Sequence, residues 1–254
     1  VCYDDHARPP LPPISGGAAD GKDIVLSAQD GNQFSAYIAY SAQPTGPQVV
    51  IFPDIRGLHQ FYKELALRFA EIGVRALAID YFGRTAGLTA RDESFEWAPH
   101  VEHMTIPTFL RDVTAAIDYL HSLSKADRPT YVIGFCRGGT LALHTGAEKF
   151  DLAGIISFYA GLSRPIPGAK GSTFEQAAKN RYPLLGLFGG ADAGIPASDI
   201  QQLDQHLDQA GVKHELITYP GATHSFFDRR AVEFADASAD AWTRMLKFMN
   251  VSTG

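Results

Sequence analysis

The chain has 254 residues, 45% of them hydrophobic and 20% charged, with a formal net charge of -6. That length and balance suit a folded domain with a sizeable core and exclude a fibre or a disordered tail. There is no basic footprint for nucleic acid, no Lys/Arg cluster for an anionic surface and no apolar run of membrane-spanning length, so neither nucleic acid nor membrane is an expected partner.

The start, Val1-Cys2-Tyr3-Asp4-Asp5-His6, lacks the basic-then-apolar order of a signal peptide. Only Cys2 and Cys136 occur, and both read as thiols in a reducing compartment, which makes a cytoplasmic location the expectation. Residues 1–21 carry Pro9, Pro10, Pro12, Pro13, Gly16 and Gly17 and predict an extended arm; 22–254 then form one domain. Ile24–Leu26 and Phe34–Ala39 flank Asp30-Gly31, which predicts an antiparallel hairpin at a sheet edge.

From Val49 the pattern changes to short apolar runs alternating with amphipathic stretches. Strands are predicted at Val49–Phe52, Val74–Ile79, Thr130–Ile133, Gly154–Phe158, Leu184–Phe188 and Glu215–Tyr219. Helices are predicted from Phe61 to Ile72, Pro107 to Leu123, after Cys136, Asp199 to Gln209 and Arg230 to Met249. Repeated strand-helix-strand units imply a single α/β domain with a mostly parallel, doubly wound sheet. Two longer connections, 85–106 with Phe95 and Trp97, and 163–182 with a helical patch at 174–178, are expected at the carboxyl edge of that sheet as lids, pocket walls or covers of the core.

The strongest chemical signal is Gly134-Phe135-Cys136-Arg137-Gly138-Gly139, between an apolar strand and a helix. A strained strand-to-helix turn needs small residues two positions before and after its centre, and it would present Cys136 at a helix N-terminus, where the thiolate is favoured. A nucleophile of this kind needs a base and an acid in later strand-to-loop junctions. Asp192 follows the Leu184 strand and His224 follows the Glu215 strand, giving the order Cys136, Asp192, His224. His100-Val101-Glu102-His103 lacks the spacing that sets two imidazoles on one helix face, so no metal site is expected there; hydrolysis through a thiol ester on Cys136 implies no metal and no organic cofactor.

These motifs, with Tyr219-Pro220-Gly221-Ala222-Thr223-His224-Ser225-Phe226 and Phe52-Pro53-Asp54-Ile55-Arg56-Gly57-Leu58, resemble the dienelactone hydrolase family of α/β-hydrolases from about Ile24 to the last helix. The resemblance implies an oxyanion hole from the backbone N–H groups of Arg137 and Ile55. It also implies an acid that triggers thiol ionisation, where this chain has Asp54 in place of the family's Glu, one C–C bond of about 1.5 Å shorter. Carboxylate-binding arginines of the family are matched by Arg84, and at the second position by Asp228, where Arg229 is the nearest replacement. Tyr81, Trp97 and Phe226 complete the expected substrate contacts; Arg84 is alternatively a surface residue or a partner of Asp80.

The expected function is cysteine-dependent cleavage of a small-molecule ester or lactone. The rivals are thioester cleavage or acyl transfer, a non-catalytic small-molecule binding protein, and a redox-sensing thiol. Oligomeric state, monomer or homodimer, is left open.

Overall fold

The computed structural model describes residues 6–14, 16–42, 45–123 and 127–252; Cys2 lies outside them. Eight strands form one sheet: β1 (Ala19–Ser27), β2 (Gln33–Ser41), β3 (Gln48–Phe52), β4 (Arg75–Ile79), β5 (Thr130–Phe135), β6 (Gly154–Phe158), β7 (Leu184–Gly189) and β8 (His214–Tyr219). Their spatial order is β1-β2-β4-β3-β5-β6-β7-β8, with β3 to β8 parallel and β2 antiparallel to both of its neighbours. The mostly parallel sheet with an antiparallel start is the one expected.

Strands β3 to β7 are buried at every position, because helices cover both faces. Each fully buried aliphatic or aromatic side chain there contributes roughly 1.5–3 kcal/mol. The covering helices are α1 (Gln60–Glu71), α4 (Ile106–Ser122), α5 (Arg137–Gly146), α7 (Ala197–Gln209) and α8 (Ala235–Phe248); α2 (Gly83–Ala86), α3 (Ala98–His103) and α6 (Thr173–Ala177) are short. In α1 the buried residues Phe61, Tyr62, Leu65, Ala66, Phe69 and Ala70 form one stripe, and the chain leaves the helix at Gly73, whose φ of 82° suits only glycine well. No helix among the described residues is long and apolar enough to cross a membrane.

Two boundaries differ most from expectation. Strand β1 begins at Ala19 because Asp20, Gly21 and Lys22 pair with Tyr40, Ala39 and Ile38, so ladder hydrogen bonds carry it beyond its alternating apolar residues. The arm ahead of it packs Pro9 and Pro12 into the surface, and the Trp242 indole on α8 donates to the Pro10 carbonyl at 2.9 Å. The last helix starts at Ala235 rather than near Arg230, because Ser225 has a φ of 63° and its carbonyl accepts from Asp228 and Arg230 N–H in successive turns.

Parallel pairing brings all carboxyl ends to one edge. Phe52 sits beside Gly134, and Gly134 beside Ser157, so the loops after β3, β5 and β6 open side by side. That edge holds the site.

Candidate active site

Cys136 caps α5 with φ 53° and ψ −114°, a conformation costly for any residue with a Cβ. Its N–H donates to Phe158 O on β6 at 3.0 Å, which anchors the strained turn. The glycines around it are required by contact. A Cβ on Gly134 would lie 2.0 Å from Gly138 O, and one on Gly138 would lie 2.1 Å from Phe52 O and 2.3 Å from Pro53 O. The turn therefore closes only because β5, α5 and the end of β3 touch through bare backbone.

Asp192 and His224 come from the loops after β7 and β8, which backbone bonds stitch together. Gly190 N–H donates to Tyr219 O and Ala191 N–H to Ala222 O, both at 2.8 Å. His224 Nδ1 lies 2.6 Å from Asp192 Oδ2, and Asp192 Oδ1 accepts from Gly194 N–H at 2.9 Å. The acid is almost wholly buried, while 31% of the His224 side chain stays exposed, so Asp192 grips the imidazole from the protein side. Tyr159, itself at a φ of 33°, lays its ring 5.0 Å from the imidazole.

Cys136, His224, Asp192 and Ile55 line one cavity of about 560 Å³ with Arg137 and Arg164. Arg137 N–H belongs to the first turn of α5 and has no acceptor four residues back within the helix, so it is available to an oxyanion. A larger cavity, about 740 Å³, lies elsewhere, between β1, the start of α1 and the 88–92 loop; His59, Lys63 and Arg91 line it and no Cys does.

Several expected substrate contacts lie elsewhere. Arg84 spends its guanidinium on Asp112 at 2.8 and 3.0 Å and on Asp30 at 2.8 and 3.1 Å, and it is not in the cavity wall. Nor does it serve Asp80, which pairs with Arg91 at 2.6 Å. Phe226 is fully buried between Phe158, Tyr159 and Tyr219, because Ser225 turns it inward. Trp97 caps α3 half-buried against the core. Tyr81 stands behind the wall, donating its hydroxyl to the Asp54 carbonyl and so positioning the loop that carries Ile55.

Asp54 is buried, with Oδ1 accepting from Arg56 N–H at 2.9 Å and Oδ2 lying 3.4 Å from His59 Nε2. Asp228 is also buried; it accepts from the Tyr159 hydroxyl at 2.7 Å and from Arg229 N–H. Asp228 is not in the cavity wall, while Arg229 and Arg230 line it. Tyr159 and His59 escaped notice in the sequence, because a strand-end tyrosine and a loop histidine carry no spacing signal; only the fold sets them against the imidazole and Asp54.

Charge around the elbow is shaped by burial. Burial pushes the Arg137 guanidinium down from its ordinary range, opposed by Tyr81 and Cys136. Burial, with the Arg137 charge, also holds His144 at about 4, so it is neutral at pH 7. Among the described residues no group of three or more His, Cys, Asp or Glu could hold a metal.

The crossed sheet, the strained elbow and the acid-histidine pair at its carboxyl edge define an α/β-hydrolase. The fold is shared with the crystal structure of a "Putative Dienelactone Hydrolase" from Klebsiella pneumoniae, at TM-score 0.81 and 24% identity over 93% of this chain and 100% of that one. It is shared as well with a dienelactone hydrolase-like promiscuous phosphotriesterase, P91, from metagenomic libraries, at TM-score 0.75 and 24% identity over 92% and 99%. A Synechocystis sp. protein named "Putative carboxymethylenebutenolidase" is 32% identical over 228 residues, 84% of this chain and 91% of its own. Residues 34–252 match the model of the dienelactone hydrolase family, and the chain belongs to that family. It is a carboxylic ester hydrolase, of the type that opens esters or lactones.

Proposed function

We propose that this cavity cleaves a carboxylic ester or lactone through a thiol ester on Cys136. The observation that carries the reading is the shared cavity: a cysteine at a strained helix N-terminus faces the same space as a histidine that Asp192 grips at 2.6 Å.

With Nδ1–H donated to Asp192, the imidazole is held in the tautomer whose Nε2 takes up the thiol proton. The Cys136 sulfur then attacks the substrate carbonyl carbon, and the carbonyl π pair moves onto oxygen, held by the N–H groups of Ile55 and Arg137. When the tetrahedral adduct collapses, the C–O bond to the alkoxide breaks and His224 returns the proton to that oxygen. Water, deprotonated by His224, next attacks the thiol ester; the C–S bond breaks and the proton goes back to sulfur. Acid and alcohol are released, or one hydroxy acid from a lactone. The scheme calls on no cofactor, and a thiol nucleophile suits a reducing compartment such as the cytoplasm.

Asp54 serves as a trigger in this scheme only by giving up Arg56 N–H and His59, since those contacts occupy both of its oxygens. A swing of the loop after β3 on substrate entry would do so.

The test is intact-mass analysis with a slowly hydrolysed p-nitrophenyl ester. An acyl adduct located at Cys136, with a product burst, is expected, and Cys136→Ala is expected to lose both the adduct and turnover. Full hydrolysis by Cys136→Ala would overturn the reading, and binding without any adduct or burst would favour a non-catalytic binding protein.

A further inference from the structure

The backbone of Arg137 has a place in the reading above, but its side chain is a separate feature. Nε and Nη2 of the guanidinium are closed to solvent, and neither has a hydrogen-bond partner among the described residues. No carboxylate pairs with it among them either. A desolvated cation with no counter-charge costs free energy that an arginine of purely structural use recovers by pairing, as Arg91 and Arg84 do here. The two unpaired nitrogens are the side-on edge of the guanidinium, the edge that grips a carboxylate with two parallel N–H···O bonds.

The surroundings favour an anion. Arg137, Arg164, Arg229 and Arg230 line the cavity, against one carboxylate, Asp192, whose oxygens are already taken by His224 and Gly194. Sheet order then separates two sides of the nucleophile. Strands β7 and β8 lie to one side of β5, and His224 comes from there, so the leaving oxygen that it protonates lies on that side. Strands β3 and β4 lie to the other side. The Arg137 charge acts on Tyr81, after β4, and on His144, further along α5. That places the guanidinium charge toward the β3–β4 side of Cys136, and an acyl chain directed away from the leaving oxygen would extend to that side.

We propose that Arg137 is the specificity-determining residue of the acyl side, gripping a free carboxylate at the end of the acyl chain, so that half-esters of dicarboxylic acids are preferred substrates. This rests on the thiol ester reading for the direction of the acyl chain. The dry Nε–Nη2 edge turns on its flexible stem into the cavity that the side chain already lines, and the substrate carboxylate supplies the counter-charge that none of the described residues provides.

The test compares three esters at one ionic strength: p-nitrophenyl hydrogen adipate, with an acyl-side carboxylate; p-nitrophenyl hexanoate, its neutral analogue; and 4-hexanoyloxybenzoate, with the carboxylate on the leaving group. The wild type is expected to favour the adipate over the hexanoate by about 10- to 100-fold in kcat/KM, the range for a charge-assisted hydrogen-bonded pair. Arg137→Met is expected to collapse that ratio, chiefly through KM, and Arg137→Lys to retain part of it. Reading the ratio cancels any general loss, and the wild-type comparison stands even if a variant fails to fold. The proposal is overturned by equal wild-type rates on adipate and hexanoate, by a preference for the benzoate, or by an Arg137→Met ratio equal to wild type. It is overturned too if Arg137→Met slows both acyl chains equally, since the guanidinium would then serve the sulfur. Cys136-dependent hydrolysis of the hexanoate with no adipate preference would sink this inference alone; turnover by Cys136→Ala would sink the thiol ester reading beneath it.

Discussion

His224 Nδ1 and Asp192 Oδ2 stand 2.6 Å apart, although they leave the sheet from separate strands, β7 and β8. The short contact fixes the ring tautomer. Asp192→Asn would offer an amide in place of the carboxylate and favour the wrong tautomer. We expect kcat for ester hydrolysis to fall about 10²- to 10⁴-fold with little change in the melting temperature, measured by steady-state kinetics beside thermal unfolding.

The elbow predicts a contrast between two glycines. Gly138→Ala places a methyl 2.1 Å from Phe52 O, and that backbone cannot move without disturbing the centre of the sheet. Destabilisation of about 2–4 kcal/mol is expected in urea unfolding. At Gly161 the nearest atom to an added Cβ is Thr140 Oγ1 at 3.8 Å, an ordinary contact. Gly161→Ala should therefore stay within about 1 kcal/mol of wild type.

Tyr159 and Asp228 form a buried pair whose loss should be felt in stability. Tyr159→Phe removes the 2.7 Å hydrogen bond and leaves the acid short of a donor, at an expected cost of about 1–3 kcal/mol. If the pair interacts as described, Tyr159→Phe should cost less in an Asp228→Asn background. Additive losses in that double-mutant cycle would contradict the contact.

His144 sets a pH dependence. Its pKa is held at about 4 against an ordinary 6.5, chiefly by burial, so between those values the unfolded chain binds a proton that the folded one does not. The stabilisation is fully present above pH 6.5 and is lost as pH falls toward 4, with a slope of at most about 1.4 kcal/mol per pH unit. His144→Gln, which can keep the contact to Thr173 Oγ1, should flatten the denaturant midpoint over that window. An unchanged slope would show that other groups carry it.

Arg84 bridges Asp30 and the buried Asp112, so its work is structural. Arg84→Gln leaves Asp112 short of its cation and should cost about 1–3 kcal/mol of stability. Because Arg84 is absent from the cavity wall, kcat/KM should change less than about twofold, measured below the new unfolding transition. A large rise in KM would return Arg84 to the substrate site.

Local signals decided the elements and their order. Apolar periodicity, with Gly and Pro as punctuation, placed the strands and helices within a few residues, and the elbow glycines marked Cys136, since these depend on neighbours along the chain. The chain order of Cys136, Asp192 and His224 was legible for the same reason: each follows a strand, and parallel strands end at one edge. Which polar side chains face the cavity depended on partners far away in sequence. Arg84 was claimed by Asp30, 54 residues back, and Asp228 by Tyr159, 69 residues back. Among the described residues Arg137, beside the nucleophile in sequence, has no carboxylate partner, a fact no spacing records. Pairing of buried charge is decided by packing in three dimensions, and only the tertiary structure could say which arginine was spent and which was kept.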